Sequence, residues 1–148
     1  MDSMDRKLLR LLQADASWSV AELAERVGAS KSACWRRIQK LESSGVICQR
    51  VTLLDPARVG LGLTVFITLR TSQHNETWAR QFRELVHDMD GILEVYRLGG
   101  QLDYLIKAVV ADMPDYDRLY QQLISADFSD VSASFVMEEI KATTQLPL

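Results

Sequence analysis

The stretch "SVAELAERVGASKSACWRRIQKLESSG", residues 19–45, decides how this chain is read. Ser19 and Glu22 stand in the S-x-x-E spacing of a capping box, and Trp18, one residue ahead, is placed to staple against Leu23. Val20, Leu23, Ala24 and Val27 then repeat at i, i+3, i+4 and i+7, so the spacing predicts a helix with one buried face. Only "GAS" separates it from the next periodic segment. Gly28 suits a left-handed C-cap, and Ser30 suits the cap of a following helix. Two helices joined by so few residues must cross, which is helix-turn-helix geometry with the second helix held proud of the first.

That second helix, within residues 30–45, has two faces. Cys34, Ile38 and Leu41 form its packing stripe at i, i+4 and i+7. Ser32, Arg36, Gln39 and Ser43 fall opposite, flanked by Lys31, Trp35 and Lys40. Residues 30–50 hold Lys31, Arg36, Arg37, Lys40 and Arg50 against the single acid Glu42, a local charge of +4. Cations near phosphates raise affinity for a duplex, and side chains reaching base edges give sequence preference. Arg pairs well with guanine and Gln with adenine, so Arg36 and Gln39 are the base-reading candidates, with Ser32 and Trp35 beside them. Ser30, Lys31, Lys40 and Arg50 complete the expected DNA-binding set, and Arg37, nearer the core edge, suits a phosphate or an internal ion pair. Taken singly, these charges would pass for a solvated face, and Trp35 would serve equally at the edge of a core. The tight turn and the capped helix before it favour DNA.

Working outward, Met4, Leu8, Leu11 and Leu12 predict an earlier helix that stops near Asp15. Gly45 closes the later one, and "VICQRVTLL" (46–54) alternates enough for an extended segment or wing. A DNA-binding domain is therefore expected over 1–54, a linker at "DPARVGLG" (55–62), with Pro56, Gly60 and Gly62, and a second domain over 63–148. In the second domain Leu63, Val65, Ile67 and Leu69 share a strand face, and Trp78, Phe82, Leu85, Val86 and Met89 follow at helical spacing. "ILEVYRL" (92–98) and "YLIKAVV" (104–110) read as strands around the Gly-rich connection "GGQLD". Tyr116, Leu119, Tyr120, Leu123 and Ile124 give a helix begun near Asp112 and Pro114, and "VSASFVM" (131–137) alternates again. The expected class is α+β: a winged helix-turn-helix followed by a ferredoxin-like βαββαβ domain. Both helices would cover one face of the sheet, leaving Phe66 bare on the other, and a homodimer is the simplest cover.

Composition narrows the function classes. The 148-residue chain is 47% apolar and carries a net charge of −3, which taken whole argues against nucleic acid. The halves differ: residues 1–60 hold ten Lys/Arg against seven Asp/Glu, and residues 61–148 hold seven against thirteen. One end is suited to a polyanion and the other is not. No apolar run approaches the roughly 20 residues of a membrane span. "MDSMDRKLL" lacks the apolar core of a signal peptide, so a cytoplasmic protein is expected. Two cysteines, Cys34 and Cys48, and two histidines, His74 and His87, indicate neither a disulfide framework nor a metal set. No nucleophile, base and orienter stand at helpful spacing and no phosphate loop is present, so no enzyme and no cofactor are expected. Two alternatives share the scaffold: an architectural protein coating DNA with little sequence choice, and a thiol or metal sensor using Cys34 and Cys48.

Several segments together resemble the Lrp/AsnC, or feast/famine, transcription regulators. "MDRKLLRLLQAD" and "LAERVGASKSACWRRIQKLESSGVI" are similar to the family's helix-turn-helix, and "GLGLTVF" to its approach to the second domain. "GGQLDYLIK" resembles the family's Gly-x-x-Asp-Tyr, here Gly100, Asp103 and Tyr104, and "SFVMEEIKATTQLPL" its ending. The resemblance implies dimers, assembled further into octamers, that bind double-stranded DNA and sense a small amino acid between dimers. Carried over by position, the effector site comprises Gly100, Gln101, Leu102 and Asp103, with Ser132 and Ser134 from the last strand. Glycines let an α-carboxylate approach backbone N–H groups, and Asp103 is the natural acceptor for an α-ammonium. Gly99 and Leu102 depart from the family's frequent Thr and Tyr, and "GGQLD" by itself reads as a plain hairpin turn. "CW" at 34–35, "LLDP", "VADM" and "TTQLP" are similar to a cysteine-responsive branch of the family, which implies L-cysteine as effector.

Overall fold

The structure, a computed structural model, describes every residue from Met1 to Leu148 and divides the chain into two compact units. Met1–Leu53 with Ile140–Leu148 forms the first, and Leu54–Glu139 the second. The last nine residues thus leave the 63–148 domain expected for them. Their backbone is hydrogen-bonded to side chains of the first helix, a pairing that no local pattern announces.

In the first unit three helices, α1 (Ser3–Ala14), α2 (Val20–Val27) and α3 (Lys31–Ser43), pack around Leu8, Leu23, Val27, Cys34 and Ile38. Burying each large aliphatic side chain contributes about 1.5–3 kcal/mol, and that stripe holds α3 down by its back. α1 starts on a capping box: Asp2 Oδ1 accepts from Met4 N and Asp5 N, and Asp5 Oδ2 accepts from Asp2 N. α2 has the expected box, with Ser19 Oγ accepting from Glu22 N at 3.3 Å and Glu22 Oε2 from Ser19 N at 2.8 Å. Trp18 packs against the same cluster as Leu23, its ring under the Arg26 guanidinium at 3.8 Å. Gly28 ends α2 at φ +69°, a left-handed conformation that costs a Cβ-bearing residue about 1–2 kcal/mol. Residues 46–54, expected as an extended segment or wing, form no strand and join no sheet. Within the expected linker, Ala57–Val59 makes one 3-10 turn closed by Gly60.

The second unit contains β1 (Leu63–Arg70), α4 (Glu76–His87), β2 (Ile92–Arg97), β3 (Tyr104–Val110), α5 (Met113–Leu123) and β4 (Asp130–Phe135). The strands form one sheet in the order β2-β3-β1-β4 with every neighbour antiparallel. This is the ferredoxin-like arrangement. Val65, Ile67 and Leu69 of β1 and Ile106, Ala108 and Val110 of β3 face Trp78 and Phe82 of α4 and Leu119 and Leu123 of α5. Trp78 is fully employed: its ring stacks on Phe82 with centroids 5.2 Å apart, and its Nε1 donates to Ala126 O at 2.7 Å. The opposite sheet face has no cover within the unit, and Phe66 and Tyr96 stand exposed there beside Lys107, Ser132 and Ser134. No helix is long and apolar enough to cross a membrane.

Candidate nucleic-acid interface and ligand loop

Ser30 starts α3 by accepting from Ala33 N at 3.2 Å, and Cys34, Ile38 and Leu41 fix the helix's rotation by burial. The residues left outward are Lys31, Ser32, Trp35, Arg36, Gln39 and Lys40, all exposed. Trp35, at 53% exposure, is no core-edge residue; it lies with Val20, Lys31 and Ser32 around an open surface hollow. Lys31, Arg36 and Lys40 make no ion pair, so their charges face solvent uncompensated.

The other cations are engaged. Arg37 Nη1 donates to Asp2 Oδ2 and Asp5 Oδ1, both at 2.7 Å, so this side chain takes the ion pair that was one of its two expected roles. Asp2 and Asp5 each spend one carboxylate oxygen on the α1 capping box and the other on Arg37. The backbone donors of the box, and after them the guanidinium, hold both carboxyls below their ordinary range. Arg50 Nη2 and Gln39 Nε2 both donate to Glu42, each at 2.9 Å. Glu42, absent from the expected set, therefore poses Gln39 and balances Arg50; its i+3 spacing from Gln39 was the available signal.

In the second unit the loop between β2 and β3 is tied down at one residue. Asp103 N donates to Leu69 O at 3.0 Å, Asp103 O accepts from Leu98 N at 2.8 Å, and Asp103 Oδ2 accepts from Thr71 N at 2.8 Å. One carboxylate oxygen of the expected ammonium acceptor thus anchors the loop to the end of β1, leaving Oδ1 without a donor. Thr71, the one buried polar side chain, accepts from Gln73 N in turn, and sequence reading did not single it out. Gly100 takes φ +138°, which a side chain would resist, and Gly100 and Gln101 are exposed while Leu102 is half-buried. Ser132 pairs with Thr68 and Ser134 with Phe66, on a strand two places from β3 and three from β2, roughly 10 and 14 Å in the hydrogen-bonding direction. Ser132 shares the loop's end of the sheet; Ser134 sits further inward on the uncovered face.

Cys34 is buried and its thiol is pushed up by burial, whereas Cys48 is exposed. No three His, Cys, Asp or Glu side chains converge on a point that could hold a metal ion.

Comparison with known proteins gives this geometry a context. Residues 1–42 match the model of the AsnC-type helix-turn-helix domain, and residues 64–146 that of the Lrp/AsnC ligand binding domain. The chain is 50% identical to the glutamate uptake regulatory protein of Zymomonas mobilis over 149 residues, covering all of this chain and 91% of that one. It is 43% identical to the DNA-binding transcriptional activator DecR of Escherichia coli, covering all of this chain and 99% of that one. A solved transcriptional regulator of Neisseria meningitidis in complex with L-Met superposes with a TM-score of 0.93 at 34% identity, over 99% of this chain and 96% of that one. An outward helix on a capped support, joined to a four-stranded ligand domain and matched by both models, makes this chain a member of the Lrp/AsnC family of transcription regulators.

Proposed function

We propose that the protein reads a pseudo-palindromic DNA site in the promoter of an amino-acid metabolism gene and that a small amino acid gates this binding. The observation that carries the reading is the outward face of α3, where Lys31, Arg36 and Lys40 stand without carboxylate partners above a fully packed stripe. Arg36 and Gln39 serve as base readers, and Ser30, Lys31, Ser32, Trp35 and Lys40 line the backbone around them. Arg37 contributes by fixing α3 to α1, and Arg50 by its approach to phosphate at the helix's far end. A dimer sets two such helices one helical turn apart, about 34 Å. The uncovered sheet face, with exposed Phe66, is the surface the dimer closes, and further assembly to an octamer places the effector between dimers beside Gly100–Asp103.

The effector's α-carboxylate meets the backbone at Gly100 and Gln101, and its α-ammonium meets the free Asp103 Oδ1. Leu102, Ser132 and Ser134 shape the rest. L-cysteine is the first ligand to test. Footprinting of the protein on its own upstream DNA, titrated with each common amino acid, tests the reading. Protection of a two-fold site that shifts with one amino acid is expected; equal protection of random duplex, indifferent to all of them, would favour the architectural coat.

A further inference from the structure

The C-terminal segment does not end with its own domain. Gln13, on α1, exchanges two hydrogen bonds with the backbone of Leu146: its Oε1 accepts from Leu146 N at 2.6 Å and its Nε2 donates to Leu146 O at 3.3 Å. A carboxamide used in this way imitates one rung of a strand ladder. One turn earlier, Arg10 Nε donates to Leu148 O at 2.6 Å. The Leu148 side chain is half-buried, and the segment borders a cavity of about 530 Å³ floored by Leu9, Leu12, Ile47 and Val51. Leu146 keeps its side chain exposed, so it is held by its backbone.

The same segment follows directly from β4, and only eight residues, 136–143, separate Phe135 from Thr144. Fully extended, they reach at most about 28 Å. α1 in turn holds α3 through Asp2, Asp5 and Arg37. An unbroken route therefore runs from the strand bearing Ser132, through the docked segment, to α1 and on to the helix with the base-reading candidates. From this we infer that Thr144–Leu148 is a coupling tether, through which the ligand domain acts on the DNA-binding unit at a second point besides the Leu53–Leu54 connection. The inference rests on the gating reading above, since a tether needs a ligand-dependent difference to transmit.

Two measurements test it in the full-length chain. Hydrogen exchange of the C-terminal peptide should show the Leu146 amide protected, with exchange rising about tenfold in Gln13→Ala. Free-peptide exchange rates in the unsubstituted protein would overturn the tether. DNA affinity is then compared with and without L-cysteine, L-glutamate and L-methionine for the unsubstituted chain, Gln13→Ala, and a chain lacking Thr144–Leu148. The ligand-induced ratio should fall toward one in both variants, with ligand-free affinity within about threefold of the parent. Variants that keep the parent's ratio would overturn the tether and leave gating intact. A parent with a ratio of one for all three amino acids would strike at gating itself and take the tether's role with it.

Discussion

Replacing Arg36 by alanine separates base reading from general attraction to DNA. The guanidinium is exposed, lies opposite the packed stripe and has no carboxylate to release, so its loss leaves no charge stranded inside the protein. If it pairs bidentately with a guanine, the cost is about 1–3 kcal/mol per half-site, or about 5- to 160-fold in affinity. That loss should appear on the footprinted site and vanish on a duplex in which the contacted base pair is already changed. Fluorescence anisotropy between about 50 and 200 mM salt reads a second quantity. A phosphate contact would instead weaken all duplexes alike and flatten the log–log salt slope by about 0.9 for each contact removed. Arg37→Ala is the internal control, since it breaks the link from α3 to Asp2 and Asp5 and should weaken every duplex without selective loss at one base pair. Equal loss on specific and scrambled DNA with Arg36→Ala would refute base reading, and unchanged binding would refute entry of this face into the groove.

Ile38→Ala, which empties a site only 3% exposed between α3 and its supports, should cost about 2–5 kcal/mol in a urea melt and abolish DNA binding at ordinary temperature. Asp2 and Asp5 have folded-state pKa values below the ordinary 3.8, so their contribution is complete above that value and is lost as pH falls through the lowered ones. Circular dichroism should therefore show the stability of the first unit flat from pH 7 to about 5 and falling below about 4, with Asp5→Asn reducing the fall. Ellman's reagent should titrate one thiol rapidly in the native protein, removed by Cys48→Ser, with Cys34 reacting only after unfolding; a fast second equivalent would mean that the α3 stripe opens. Phe66→Glu should shift sedimentation toward the monomer while leaving the far-ultraviolet spectrum intact, and an unchanged sedimentation coefficient would move the dimer surface elsewhere.

What could be read in advance follows the range of the forces involved. The caps at Ser19 and Ser30, the left-handed Gly28 and the Cys34–Ile38–Leu41 stripe are set by neighbours three or four positions away, and each stands where spacing put it. Alternation in β1 carried both its buried face and the bareness of Phe66. β4 stops at Phe135, short of the expected 137, because Val136 N makes the last ladder bond, to Thr64 O near the start of β1. The partners in three pairings escaped, although an internal ion pair was one of the two roles expected of Arg37. Arg37 finds acids 32 and 35 positions away, Thr71 reaches Asp103 across 32, and Gln13 reaches Leu146 across 133. Nothing periodic connects such partners; only the closed fold brings them within hydrogen-bonding distance.

The bond from Thr71 to Asp103 has a consequence for selectivity. A turn already pinned at its base has less freedom to lose when a guest arrives, so less entropy is forfeited there and less affinity is spent on ordering it. On the effector site proposed above, discrimination between one amino acid and another falls on the side chains beside the pinned residue, exposed Gln101 and half-buried Leu102. On that proposal, exchanging those two residues retunes preference while the Asp103 anchor stays as it is, which would make this turn a convenient place to alter what the protein answers to.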